Sequence, residues 1–220
     1  MNLARVQPPP GYAALLVGEP RPGDWSAPLG APSGCWMSEE VNPRTGQPAC
    51  RVLLWRTFMC EGCTVDSPPD AYGMMNPSTA THEALDPTVR RVIGYCDRDY
   101  AGGLIVVNRS PWRATDQDDL ERDHLGGADV LRVEANAAAW AVAASLARRL
   151  ILAWGTPRGS WPEKVRAHDA ALLAPFSGRT FTIGRLSKQG QPRHPLYLPG
   201  DEPMLPAVLR DGALHTVVEA

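Results

Sequence analysis

The run Leu104-Ile105-Val106-Val107, bounded by Gly102-Gly103 and by Asn108, constrains the fold of this chain more than any other stretch. An unbroken apolar run of that kind reads as a strand covered on both faces, which requires packed layers on each side of a sheet. A second run, Ala71-Tyr72-Gly73-Met74-Met75, breaks into Asn76-Pro77-Ser78-Thr79-Ala80. The residue before a proline is driven out of the helical region, so Asn76 is expected extended at the carboxyl end of a strand. Between the two runs, Asp86-Pro87 supplies an N-cap and a first-turn proline, and Val89, Val92, Ile93 and Cys96 recur at helical spacing. Two strands separated by one helix therefore each end in an asparagine.

The pattern continues toward the carboxyl terminus. Asp129 to Arg149 is alanine-rich and reads as a helix, and Leu150-Ile151-Leu152-Ala153-Trp154-Gly155 as a strand ending in glycine. Ser160, Pro162 and Glu163 open a helix running to about Leu173, and Arg179 to Leu186 is the last candidate strand. Strands alternating with helices predict a three-layer α/β/α architecture around a central four-stranded parallel sheet, in residues 71–220. Residues 1–70 are rich in proline and glycine. With strand-like runs at Tyr12 to Val17 and Cys50 to Phe58, they predict an antiparallel β extension packed on that core, the whole making one compact domain. Ligands of open α/β sheets bind beyond the carboxyl ends of the strands, so Asn76, Asn108, Gly155 and His194 are expected to converge there.

Composition narrows the partners. A formal charge of -2 on 220 residues excludes a broadly basic coat for nonspecific nucleic-acid binding but leaves room for a local patch. Beyond Arg148, arginines and lysines outnumber carboxylates, as either a solvated or a phosphate-facing surface. No apolar segment has the length of a bilayer span and the first ten residues lack the apolar core of a secretion signal, so a cytoplasmic protein is expected. The odd number of cysteines favours reduced thiols. Cys60-Glu-Gly-Cys63 has the spacing of half a zinc knuckle, with Cys35 and Cys50 as the remaining candidates, but the irregular separations make a poor zinc framework.

Met75-Asn76-Pro77-Ser78-Thr79-Ala80, Asp86-Pro87-Thr88-Val89-Arg90-Arg91, Val107-Asn108 with Arg113-Ala114-Thr115, Ala153-Trp154-Gly155 and Arg193-His194-Pro195-Leu196-Tyr197 resemble, in order, a bacterial and phage family known as domain of unknown function sixteen forty-three. More distantly, the same motifs resemble the uracil-DNA glycosylase superfamily, particularly its mismatch-specific branch. Gly73-Met74-Met75-Asn76-Pro77-Ser78 is similar to that branch's Gly-Ile-Asn-Pro-Gly turn, with Ser in place of the last Gly. Val106-Val107-Asn108 is similar to the Leu-Leu-Asn strand end of uracil-excising members, and Ala153-Trp154-Gly155 to their Leu-Trp-Gly. His194-Pro195-Leu196-Tyr197 is a shortened counterpart of their His-Pro-Ser-Pro-Leu.

The resemblance implies a monofunctional DNA glycosylase acting on a flipped-out base and leaving an abasic site. In that scheme Asn76 places the water, His194 donates to the departing base, and Glu83 supplies a carboxylate that Asn76 lacks. Asn108, Met75, Trp112 and Gly155 surround the base. Ser78, Thr79, Arg113, Lys188, Gln191, Arg193, Leu196 and Tyr197 face DNA, the last two as a wedge. No lysine stands beside the motif strands, so lyase chemistry is not expected. No cofactor, membrane or obligate protein partner is implied. The departures from the uracil pattern, and the family's occurrence in phages and bacteria, point to a hypermodified pyrimidine of phage DNA such as glucosylated hydroxymethylcytosine. Taken singly, Asn76 is equally a strand-ending turn, Asn108 a turn cap and His194 an ordinary loop residue. An N-glycoside hydrolase or transferase on free modified nucleotides, a noncatalytic reader of modified bases and a zinc-stabilised interaction module are the alternatives.

Overall fold

The computed structural model describes residues 6–17, 33–57, 63, 67–78, 80–81, 83–115, 130–156 and 168–217, with side chains described from residue 134 in the helix that begins at 130. Nine strands form one sheet: β1 (Tyr12–Val17), β2 (Ser33–Ser38), β3 (Arg51–Thr57), β4 (Asp70–Met74), β5 (Gly103–Asn108), β6 (Leu150–Leu152), β7 (Thr180–Ile183), β8 (Met204–Arg210) and β9 (Ala213–Thr216). Their order across the sheet is β1-β2-β3-β5-β4-β6-β7-β8-β9. Two α-helices have described bounds, α1 (Pro87–Arg98) and α2 (Val130–Leu146), and residues 168–173 are helical.

Each strand reflects its side chains. Every residue of β5 is buried, as the continuous apolar run requires. Alternate residues of β4, β5 and β6 feed two cores. Ala71, Ile105, Val107, Leu150 and Leu152 pack with α2 through Ala139, Trp140 and Ala143. Tyr72, Leu104, Val106 and Ile151 pack with α1 through Val89, Val92, Tyr95 and Cys96. Helix α1 starts at Asp86, whose Oδ1 accepts from the Val89 N–H at 2.7 Å, with Pro87 in the first turn.

The expectation of a three-layer α/β/α fold on a central four-stranded parallel sheet is overturned. The sheet is mixed, and most of its pairings are antiparallel: β1–β2, β2–β3, β3–β5, β7–β8 and β8–β9. Parallel pairing is confined to β5–β4, β4–β6 and β6–β7. The physical reason lies at the edges, where unpaired backbone groups invite another strand. The amino-terminal strands do not pack beside the core as an extension; Leu54, Trp55 and Arg56 of β3 pair directly with Val106, Ile105 and Leu104 of β5. At the other edge a hairpin not anticipated from the sequence continues the ladder through β8 and β9. Its turn residues Asp211 and Gly212 take φ of 51° and 73°, the left-handed pair that a tight hairpin demands.

Among the described residues, the cysteines weighed as zinc ligands do not come together. Cys35 lies in the α1-side core and Cys50 in the α2-side core, so the sheet separates them. Cys63 is disulfide-bonded, which corrects the expectation of reduced thiols throughout, and Cys60 lies outside the described residues. Cys35, Cys50 and Cys96 are buried and outside any disulfide.

At the amino end of β4, Asp70 is fully buried and accepts from Nε of Arg148 at 2.7 Å and Nη2 of Arg149 at 2.9 Å. Arg149 also reaches Asp99, just beyond α1. Replacing Asp70 by Ala leaves two guanidinium groups without their shared carboxylate, and a loss of about 3 kcal/mol is expected. Urea unfolding checks this, and an unchanged midpoint would contradict it.

Candidate active site

Beyond the carboxyl ends of β4, β5 and β6 lies a cavity of ≈ 610 Å³. Its walls come from the strand ends themselves, the first turn of α1, the start of β3, Ala114 and Thr115 beyond β5, and the segment after β7 that runs through Ser187 and Arg193 to the 3-10 turn Pro195–Tyr197. Asn76, Asn108, Gly155 and His194, expected to meet at one rim, all line it.

Asn76 is held by its own amide. Nδ2 donates to the Ala114 carbonyl at 2.6 Å and the Pro77 carbonyl at 3.2 Å. This fixes the side chain and leaves Oδ1 as an acceptor for a ligand or a water. Asn108 is different. It is fully buried, and neither its Oδ1 nor its Nδ2 has a partner. Its backbone carbonyl is anchored from the α2 side by Nδ2 of Asn136 at 2.9 Å and Nε1 of Trp140 at 3.0 Å. Following Leu104 and Val106 on the alternating strand, its side chain belongs to the α1 face, where the cavity opens. A buried amide with both donor and acceptor unsatisfied costs roughly 1–3 kcal/mol per group, and here both face a cavity with room for a water or a ligand to complete them.

His194 packs against Gly155, where a Cβ would come within 3.2 Å of the His194 Cβ. Gly155 also takes a φ of +76°, so a side chain there is strained as well as crowded. The Leu196 N–H approaches Nδ1 at 3.4 Å, which puts the ring proton of the neutral imidazole on Nε2. Burial lowers the His194 pKa from 6.5, only partly opposed by the Asp86 carboxylate nearby. At neutral pH the ring is therefore an uncharged donor.

Two charged residues in the cavity were not identified as site residues from the sequence. Arg51, at the first position of β3, is buried; its Nη1 donates to the Ala80 carbonyl and its Nε has no partner. Desolvation pulls its pKa down to about 10, against the opposing influence of Cys35 and Asp86. Asp86 lines the cavity too, and its Oδ2 accepts from the Ser78 hydroxyl. Glu83, expected to supply the carboxylate, is exposed and does not line the cavity; Asp86, three residues on, takes that place.

The other expected residues divide. Met75, Ser78, Arg193, Leu196 and Tyr197 line the cavity, with Tyr197 81% exposed at its rim and its ring 5.5 Å from that of His194. Arg193 is also paired with Glu202 at 3.4 Å. Gln191 stands behind the wall, accepting from Nε1 of Trp154 at 3.0 Å. Trp112 packs into the α2-side core rather than the cavity, and Arg113 donates to the Pro48 carbonyl at 3.1 Å outside it. Lys188 is exposed and does not line it, and Thr79 lies outside the described residues. Trp154 forms a wall that sequence reading left unassigned, its back face covered by Arg109 at 4.7 Å, which Asp169 holds by two bonds of 2.8 and 2.7 Å.

Replacing Asn108 by the similarly shaped Leu removes two unsatisfied groups, so a gain of about 1 kcal/mol in stability is expected while ligand binding is lost; thermal unfolding measures the first. The His194 ring is expected to titrate below 6.5 by NMR. Because the fold favours the neutral ring, its stability is full above pH 6.5 and declines as the pH falls through the lowered pKa. His194→Gln flattens that decline.

The model of a family described as a protein of unknown function, DUF1643, matches residues 51–196. No curated protein and no solved structure matches the chain. No described helix is long and apolar enough to cross a membrane, and no described group of three or more His, Cys, Asp or Glu side chains is arranged to hold a metal ion. The family match runs over well over half of the 220 residues and takes in the strand ends, the start of α1 and most of the last turn, so the chain belongs to the DUF1643 family.

Proposed function

We propose that the protein is a monofunctional DNA glycosylase that hydrolyses the N-glycosidic bond of a modified base and leaves an abasic site. The observation that carries this reading is the fully buried, unpartnered amide of Asn108 in a cavity also lined by Asn76 and His194. One acceptor and two amide protons at fixed positions are what reading the hydrogen-bonding edge of a base requires. A base in a duplex must be flipped out to reach them, and the exposed Leu196 and Tyr197 stand at the rim to occupy the gap it leaves. The cavity lies within the range that holds drug-sized ligands, which favours a substituted base over a bare pyrimidine ring. A hypermodified pyrimidine of phage DNA, such as glucosylated hydroxymethylcytosine, is the leading substrate. This activity would serve phage defence in the cytoplasm.

The chemistry follows from the side chains. Departure of the base leaves an oxocarbenium-like sugar, a strong electrophile for which placing the water matters most. Asn76, with its Nδ2 committed to two carbonyls, presents Oδ1 to that water. Negative charge gathers on the base, and the neutral His194 offers Nε2–H to it without the penalty of a buried cation. Among the described residues no lysine lines the cavity, in keeping with hydrolysis without a Schiff base.

Oligonucleotides carrying uracil, mismatched thymine, hydroxymethylcytosine and its glucosylated form, treated with alkali after incubation, test the proposal. Alkali-labile breaks are expected with a modified base. Asn76→Ala is expected to slow release by on the order of 10²-fold, and His194→Ala by about 10²–10³-fold. Release from free nucleotides, with no competition by duplex DNA and little salt dependence, would favour a mononucleotide enzyme instead. Tight binding with no release would leave a reader of modified bases.

A further inference from the structure

Asn76 can hold a water but cannot take its proton, and Glu83 is exposed outside the cavity. Resting on the hydrolase reading, we propose that Ser78 and Asp86 form the proton relay for the attacking water: Ser78 contacts the water, and Asp86 is the positioning residue behind it and the final proton acceptor.

Three observations converge on this pair. Both residues line the cavity, and Ser78 lies two positions beyond Asn76 on the same strand-end turn. The Ser78 hydroxyl donates to Asp86 Oδ2, which orients its lone pairs away from the carboxylate and toward a second donor. Asp86 is held from the other side, since Oδ1 accepts from the Val89 N–H at the start of α1. The carboxylate is thus fixed in place before any ligand enters, and its charge is felt by Arg51 from β3 and by His194 from the last turn.

The step balances as follows. The bond between the sugar carbon and the base nitrogen breaks, and its electron pair leaves with the base, whose carbonyl oxygen accepts from His194 Nε2–H. The water oxygen bonds to the sugar carbon. Its proton passes to Ser78 Oγ as the Ser78 proton passes to Asp86 Oδ2. The base anion then takes up one proton, from Asp86 or from solvent, and the carboxylate is restored. Water and the N-glycoside become a sugar hydroxyl and a free base, with no oxidant, reductant or metal required. The negative charge of Asp86 also opposes the positive charge that builds on the sugar, so it acts in the same direction before the proton moves.

Asp86→Asn isolates the relay, because asparagine caps a helix about as well as aspartate and keeps an acceptor for Val89. With the modified DNA from which the wild type releases base, single-turnover release by Asp86→Asn is expected to fall about 10²–10⁴-fold. Binding of the same DNA and the thermal midpoint are expected to stay as in the wild type. Ser78→Ala is expected to slow release, and the double variant to be no slower than Asp86→Asn alone. A variant Asp86→Asn that releases base at the wild-type rate, or a double variant slower than Asp86→Asn by the full factor of Ser78→Ala, overturns the relay and leaves the hydrolase reading standing. A wild type inert on every modified DNA overturns both.

Discussion

The carboxylate of Asp70 sets the level from which the site is built. Parallel strands have no hairpin to fix their register, and β4 and β6 are separated in the chain by α1, β5 and α2. Asp70 opens β4, and Arg148 and Arg149 immediately precede β6, so their ion pairs tie the amino ends of the two strands together inside the core. The neighbouring backbone bonds, Arg148 N–H to Pro69 and Ala71 N–H to Arg149, continue the same junction. Alignment at that end determines where the other end stops. Asn76, Asn108 and Gly155 arrive at one rim because the strands are in register at Asp70, Leu104 and Leu150, roughly four to six residues earlier, each residue adding roughly 3.3 Å.

The opposite end of the sheet is as costly as this end is stable. Asn108 carries two buried polar groups without partners, and Arg51 sits desolvated with its Nε unpaired. Residues chosen for stability alone would not be placed there, since an apolar side chain of similar shape removes the penalty. The amino ends of the sheet thus carry satisfied charge, whereas the carboxyl ends combine the Arg109–Asp169 pair with the unsatisfied polar groups of Asn108 and Arg51. That asymmetry is the physical ground for assigning the site to the carboxyl ends.

What could be read from the sequence was local. The Asn-Pro turn, the apolar run ending at Asn108 and the glycine after Trp154 each announce a strand end by their own chemistry, and His194 follows the last parallel strand. Arg51 gave no such signal: it stands at the start of an antiparallel strand whose place beside β5 depends on long-range pairing, and nothing in Cys50-Arg51-Val52 distinguishes it from a surface arginine. Glu83 and Asp86 differ by one turn of a loop, and only the cap of α1 decides which carboxylate turns inward. Asp86 was legible as a cap, and its second oxygen, facing Ser78, was not. The hairpin of β8 and β9 did carry a signal in Asp211-Gly212, but Pro206 within the first strand argued against strand there. β8 is flanked by β7 and β9, and Pro206 is accommodated opposite Phe181 just before the pairing with β9 begins at Ala207, its carbonyl accepting from the Val217 N–H.

The extent of the family match has a structural meaning in this setting. It begins at Arg51, the first cavity residue in the chain, and ends at Leu196, within the last turn that lines it. Strands β1 and β2 at one edge, and β8 and β9 at the other, fall outside it. These strands contribute nothing to the cavity wall. They cover backbone groups that β3 and β7 would otherwise leave unpaired, and β2 does so through close packing, since any side chain at Gly34 would overlap the buried ring of Trp55. The match therefore spans the cavity-lining segments from the start of β3 to Leu196, with Tyr197 and Leu198 just beyond it, and the described strands outside it seal the sheet instead of lining the site.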